Sequence, residues 1–141
     1  MDDQALRTIL TTHPTVVVLG IHDDPSRPAY YVPAYLHDHG YRILGVNPTL
    51  AGKDLFGAEI RASLGEITEP YDIVDVFRRP DALPAHAAEL AACSAPVVWF
   101  QLGIRNDAVA ARLTAAGKTV VQDRCMLADH RRLRLGEPQK P

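Results

Sequence analysis

The chain has only two cysteines, Cys93 and Cys125, in 141 residues. That is too few for a disulfide framework, and a reducing cytoplasmic setting is the simplest expectation. No apolar run approaches the ~20 residues needed to cross a bilayer, so no membrane partner is expected. The opening MDDQALRTIL is acidic and lacks a basic n-region and a cleavage site, which argues against a secretory signal. A net charge of −2 supplies no broad basic surface and argues against sequence-independent nucleic-acid binding. Two glycine motifs are missing as well. No G-x-G-x-x-G follows a strand-like run, and no Gly-Lys-Ser/Thr does, so hydride transfer and nucleotide hydrolysis lose their main support. His37, His39 and His130 show no metal-ligand spacing with the cysteines, and no metal is expected.

What is present is an alternation of strand-like and helix-like segments. A helix is predicted over 3–11, where Leu6, Ile9 and Leu10 share a face. Thr15–Leu19 is a β-branched apolar run suited to a strand buried on both faces. Ala29–His39 has Val32, Tyr35 and Leu36 at helical spacing, with Gly40 as its stop. Tyr41–Val46 is the second strand, ended by Asn47-Pro48, and a short strand is expected at Leu55–Ala58. Then come a strand at Ile73–Phe77, a helix over 81–93 led in by Pro80, and a strand at Pro96–Gln101. A helix over about 105–116, closed by Gly117, precedes a last strand at Thr119–Gln122 and a short basic helix, with a Pro-containing tail after Leu135. Such alternation builds βαβ units around a parallel sheet, and right-handed crossovers bring the strand C-termini to one edge. The fold class is α/β, a single domain over 1–141 with its core at about 13–135.

Chemistry-bearing residues gather at that edge. Gly20 to Arg27, Asn47-Pro48, Phe77 to Arg79, Gln101 to Gly103 and Asp123 to Cys125 each follow a predicted strand. Ligands of open parallel sheets sit there, near the point where strand order reverses. Arg27 stands just before a predicted helix start, where its guanidinium and free backbone N–H groups suit a phosphate. Arg78 and Arg79 bring two more cations. The second strand ends in Asn47, with no carboxylate placed for ribose hydroxyls, which disfavours an NAD-type site.

The segments VVVLG with a downstream SRP, HGYRILGVNP, DIVDVFRRP, VVWFQLGI, and VVQDRC followed by DHRRL stand in a specific order and spacing. Over about Thr15 to Leu133 the chain resembles the small stand-alone CoA-binding proteins, related to the CoA-binding domain of the succinyl-CoA synthetase alpha subunit. The resemblance implies a Rossmann-like three-layer sandwich with a mostly parallel sheet of five or six strands, holding CoA across the strand C-termini. Carried over by position, Gly20, Ile21, His22 and Arg27 would line the diphosphate end. Asn47, Pro48, Phe77, Arg78 and Arg79 would flank the adenosine and its 3′-phosphate, and Gln101, Leu102 and Gly103 would border the pantetheine arm. His22 and Ala29 stand where the family has serines, so two phosphate-facing hydroxyls are lost. A protonated His22 would replace one donor. Leu127-Ala128-Asp129 replaces the family's usual Lys and Glu near the C-terminus.

Four residues admit chemistry outside that scheme. Cys125 follows a strand near Arg124 and His130, and reads as a small buried residue, with a nucleophile as the alternative. Cys93 and Trp99 are expected in the core. Asp75, framed by Ile73, Val74 and Val76, is expected to make a buried hydrogen bond rather than act as an acid. The phosphorylated histidine and the grasp domain of the synthetase lie outside its CoA-binding domain. The reading is therefore a CoA or acyl-CoA binder without catalytic machinery, in a regulatory or carrier role. A Cys125-dependent thioester or disulfide enzyme and an NAD(P)-binding redox-sensing domain remain the alternatives.

Overall fold

A computed structural model describes residues 1–141. Five strands, β1 (Thr15–Leu19), β2 (Arg42–Val46), β5 (Ile73–Val76), β6 (Val97–Phe100) and β7 (Thr119–Val121), form one sheet in the order β2-β1-β5-β6-β7. Every pairing in it is parallel. Helices α1 (Asp3–Thr12), α2 (Pro28–Asp38), α3 (Leu83–Ala92), α4 (Asp107–Ala115) and α5 (Met126–Arg132) cover both faces. The architecture is α/β and Rossmann-like, with three layers and five strands in the central sheet.

Strand alternation divides the core in two. Val16 and Val18 point with Ile73 and Trp99 into one apolar cluster, capped by Leu6, Leu10, Leu36 and Met126 from α1, α2 and α5. Val17 and Leu19 point the other way, with Val74, Val76 and Phe100, beneath Leu83, Leu90 and Leu113 of α3 and α4. Burial on both faces explains why these strands are continuous apolar runs rather than alternating ones.

Helix ends follow local chemistry. Asp2 caps α1 by accepting from the Ala5 amide at 2.8 Å, and Asn106 caps α4 by accepting from the Val109 amide at 3.0 Å. That cap moves the start of α4 from the expected 105 to Asp107. Pro80 opens a single 3-10 turn over Pro80–Ala82, and α3 proper begins at Leu83, with Pro84 in its first turn.

The expected strand at Leu55–Ala58 is a hairpin instead. β3 (Asp54–Leu55) and β4 (Ala58–Glu59) pair antiparallel across Phe56 and Gly57, which have φ of 53° and 83°. Two successive positive φ angles make the tight turn of a two-residue hairpin, and they fold the apolar run back on itself.

Counting sheet strands alone, the order is 2-1-3-4-5. The crossovers from β1 and towards β5 therefore diverge between these two neighbours, leaving a crevice above their C-terminal ends.

Candidate functional site

Gly20 ends β1 with φ of +92°, and its amide donates to the Val46 carbonyl at 2.8 Å. This bond ties the end of β1 to the end of β2, while on its other side Gly20 packs against the end of β5. A β-carbon on Gly20 would lie 2.5 Å from the Phe77 carbonyl oxygen and 3.3 Å from Cδ of Arg78. Only glycine allows this approach.

The loop then turns back onto α2. Pro33 lies inside that helix and has no N–H to give the Ala29 carbonyl. The His22 amide takes the vacant acceptor at 3.2 Å. The His22 ring accepts from the Asp24 amide at Nδ1, 3.0 Å away, which leaves its ring proton on Nε2. Asp24 in turn accepts from the amide and the hydroxyl of Ser26, at 3.0 and 2.8 Å. The loop is thus folded by its own side chains, and it delivers Arg27 to the N-cap of α2 with no side-chain cap bond spent there.

Asn47 ties the neighbouring loop to this one. Its Nδ2 donates to the Ile21 carbonyl at 2.8 Å, and its Oδ1 accepts from the Thr49 amide at 2.9 Å. Both ends of the amide are used to lock loops.

Above these anchors lies an open cleft of about 590 Å³. Gly20, Asn47, Phe77, Gln101 and Cys125 contribute from the ends of the five strands, and Arg27 to Val32 of α2 supply a wall. A second cavity of about 160 Å³ adjoins it, sharing Gly20, Asn47 and Arg78 and adding Pro48, Ser63, His86 and Glu89. Arg78 borders both cavities and has no carboxylate partner. Arg27 and Arg79 are each offset by one, Asp24 at 3.8 Å and Asp81 at 3.0 Å.

Of the residues expected at the site, Gly20, His22, Arg27, Asn47, Phe77, Arg78, Arg79, Gln101 and Leu102 line the larger cleft. Pro48 lines the smaller one. Ile21 does not line either: its side chain is fully buried in the core, where it packs so closely on Gly45 that a β-carbon there would clash with it. Gly103 also lies outside both cavities, and its amide donates to Asp123 at 2.6 Å. Tyr31 and Ile104 were not anticipated in the cleft, nor Ser63, His86 and Glu89 beside it. Tyr31 had a readable signal, as an aromatic off the buried stripe of α2. Together with Leu102 and the terminal Met1 it makes up the exposed large hydrophobic side chains of the molecule.

At the β7 end, Gln101 is buried. Its Oε1 accepts from the Met126 amide at 3.0 Å, turning Nε2 toward Cys125 Sγ at 3.9 Å. Burial pushes the Cys125 thiol pKa up, while the amides of Leu127 and Ala128 pull it back in part. Cys93 is half-buried rather than in the core, with its thiol donating to the Leu90 carbonyl at 3.1 Å. Asp75 departs further from expectation. It is fully buried, as foreseen, yet neither carboxylate oxygen has a hydrogen-bond partner, and burial raises its pKa well above the ordinary carboxylate range. Trp99 is wholly buried and donates its indole N–H to the Arg124 carbonyl at 2.7 Å.

Residues 14–131 match the family model described as CoA binding domain. The chain belongs to this family of CoA-binding domains. A Bacillus subtilis (strain 168) relative, "Uncharacterized protein YneT", is 38% identical over 125 residues, covering 89% of this chain and 91% of the relative. A solved Thermus thermophilus structure, cell-free ID.343, is 51% identical with a TM-score of 0.91, covering 94% of this chain and 99% of that one. The same fold recurs at 13% identity in the dinucleotide-forming acetyl-coenzyme A synthetase 1 of Ca. Korarchaeum cryptofilum. There the TM-score is 0.67, and the match covers 79% of this chain and 26% of the synthetase. For the CoA-binding family the crevice at the β1/β5 reversal is thus the part of this chain with most to explain. No helix is long and apolar enough to cross a membrane.

Proposed function

We propose that this protein binds CoA or an acyl-CoA across the C-terminal edge of its sheet and acts by binding, as a regulator or carrier. The observation that carries this reading is the position of Arg78. It is a cation without a carboxylate partner, wedged against Gly20 between two adjoining cavities at the strand-order reversal. A ligand with one anionic centre would need one such cavity. CoA has a diphosphate and a separate 3′-phosphate, and an arginine between two hollows suits that division.

In this reading Arg27, Arg78 and Arg79 attract the phosphates. Gly20 and Phe77 form the floor, with His22 and Asn47 holding the loops that frame it. Pro48 borders the smaller hollow. Gln101 and Leu102 flank the arm leading toward β7, while Ile21 and Gly103 support from behind. The loss of two serines is offset in part by the Asp24–Ser26 turn, which shapes the loop without hydroxyls at positions 22 and 29.

The NAD(P) alternative is weakened by Asn47, which spends its amide on loop contacts and stands where an acid would take the ribose hydroxyls. Catalysis through Cys125 is weakened by the upward shift of its thiol, since the thiolate is the nucleophile.

Thermal unfolding with CoA, acetyl-CoA, NAD and ATP tests the reading. A ligand at ~100 times its dissociation constant adds roughly 2.7 kcal/mol of stability. CoA or acetyl-CoA should give the largest shift. A shift with NAD and none with CoA would overturn the proposal.

A further inference from the structure

The larger cleft is cationic at one end and uncharged at the other. Its arginines, Arg27, Arg78 and Arg79, all stand in the loops after β1 and β5. Its lining after β6 and β7, by contrast, is Gln101, Leu102, Ile104 and Cys125, with neither a cation nor a carboxylate among them. We infer that this uncharged end receives the acyl group of an acyl-CoA, making the protein selective for thioesters of hydrocarbon acids over free CoA. The inference rests on the CoA reading above and names the class of acyl group that the same cleft takes.

Two side chains carry it. Apart from the terminal Met1, the exposed large hydrophobic residues of the molecule are Tyr31 and Leu102, at 45% and 70% exposure. Both line this one cleft. They come from separate elements, α2 and the turn after β6, so nearness in sequence does not explain their meeting. Exposed apolar surface gathered in a concave site marks a place that a ligand covers.

Leu102 is also firmly mounted. Its turn is closed by the Ile104 amide, which donates to the Gln101 carbonyl at 2.9 Å. The Gly103 amide donates to the Asp123 carboxylate at 2.6 Å, and the Asp123 amide donates back to the Ile104 carbonyl at 3.1 Å. The turn after β6 is thereby tied to the loop after β7. A side chain presented on a fixed backbone loses less freedom when a ligand covers it, which favours binding.

The polar side chains at this end are already engaged. Gln101 spends Oε1 on the Met126 amide, and Arg124 is paired with Asp129 at 2.8 Å. Cys125, half-buried, adds a small, soft apolar surface. A dicarboxylic acyl group would bring its free carboxylate here to no cation, and would lose hydration without compensation. A hydrocarbon group would instead cover apolar surface that now faces water.

Reach agrees with this placement. From β1 to β7 there are three strand spacings, about 14 Å at ~4.8 Å each. The pantetheine arm is an extended chain of two amide-linked units and cysteamine, roughly four residue lengths of about 3.5 Å, again about 14 Å. A CoA with its diphosphate over Gly20 therefore carries its sulfur, and the acyl group on it, to the end of the cleft that Leu102, Ile104 and Cys125 line.

Calorimetric titration with CoA and with its acetyl, butyryl, hexanoyl and succinyl thioesters tests this. Affinity should rise about two- to fourfold for each methylene added from acetyl to hexanoyl, the upper figure being full burial. Succinyl-CoA, with as many acyl carbons as butyryl-CoA but a charged end, should bind about tenfold more weakly than it. Equal affinity for CoA and the hydrocarbon thioesters, or succinyl-CoA bound as tightly as butyryl-CoA, would overturn the inference and leave the CoA site standing. Failure of CoA and every thioester to bind would instead remove the CoA reading, and this inference with it. Leu102→Ser, at an exposed position, should flatten the dependence on chain length, read as the ratio of hexanoyl-CoA to acetyl-CoA affinity within that variant. An undiminished ratio would contradict the assignment of Leu102 to the acyl group.

Discussion

Gly20 and Phe77 touch so closely that a β-carbon on Gly20 would sit 2.5 Å from the Phe77 carbonyl oxygen. This contact joins the ends of β1 and β5 at the point where the strand order reverses, and it forms the floor of the cleft. Gly20→Ala must both accept a positive φ and push the two loops apart. The positive φ alone costs roughly 1–3 kcal/mol. Urea denaturation should show at least that loss, with CoA affinity falling alongside it. A variant as stable as the wild type would mean that the floor is far more pliable than described.

Arg78 and Arg79 are adjacent in sequence but differ in setting. Arg79 is 84% exposed in its side chain and pairs with Asp81, whereas Arg78 borders both cavities without an ion-pair partner, the nearby Glu89 being engaged with His86. Arg78→Ala should weaken CoA binding roughly tenfold, the lower end of what a charged hydrogen bond contributes, because the side chain is solvent-screened. Arg79→Ala should cost less. Calorimetric titration of both variants with CoA checks the order, and equal losses would remove the special role of Arg78.

Asp75 ties stability to pH with a definite sign. Its folded pKa is raised by burial, so the native state holds a proton that the unfolded chain releases above about pH 4. Wild-type stability should therefore fall as pH rises from about 4 through the folded value, by up to ~1.4 kcal/mol per pH unit from this group. Asp75→Asn should lose that slope, whatever its absolute stability. Denaturation of both proteins at a series of pH values measures the difference, which should widen in favour of the Asn variant as pH rises. Parallel curves would contradict the assignment.

His130 has the opposite sign. It receives the Tyr35 hydroxyl at 2.9 Å on Nδ1 and donates from Nε2 to the Gly136 carbonyl at 3.1 Å, pinning the C-terminal tail. Burial lowers its pKa. Its contribution is fully present above about pH 6.5 and is lost as pH falls from there through the depressed folded value. Hydrogen exchange of residues 134–139 should accelerate on acidification from pH 7 to 5 in the wild type. In His130→Gln that acceleration should be absent, and its persistence would place the pH sensor elsewhere.

The strands were legible because burial on both faces leaves no room for polar residues: Val16 to Leu19 and Val97 to Phe100 read as continuous apolar runs and form strands. The hairpin at Phe56-Gly57 was not, because its turn lacks the usual Asn-Gly or Asp-Gly pair and Phe56 carries a positive φ imposed by context. At the site, topology alone brings most of the residues that follow the strands to one cleft, with Ile21 and Gly103 outside it. Their division of labour was not readable. Nothing in the letters HDDPSRP shows that Pro33, eleven residues after His22, frees the carbonyl that the His22 amide then occupies. Ser63, His86 and Glu89 come from the connection after the hairpin and from α3, and meet at the small cavity only through tertiary packing. Asp75 looked like a satisfied buried acid because strand neighbours usually supply a partner. Here those neighbours are Val18 and Trp99, and the indole is engaged with Arg124.

The central claim is that the crevice above β1 and β5 is a CoA site, with Arg78 between its two anion-binding hollows. Titration of the protein with CoA in a calorimeter, in parallel with NAD and with Arg78→Ala, tests it most directly. The account predicts saturable one-to-one binding of CoA, weaker or absent binding of NAD, and a loss of about tenfold in the variant. Binding of NAD in preference to CoA, or CoA affinity untouched by loss of Arg78, would contradict it.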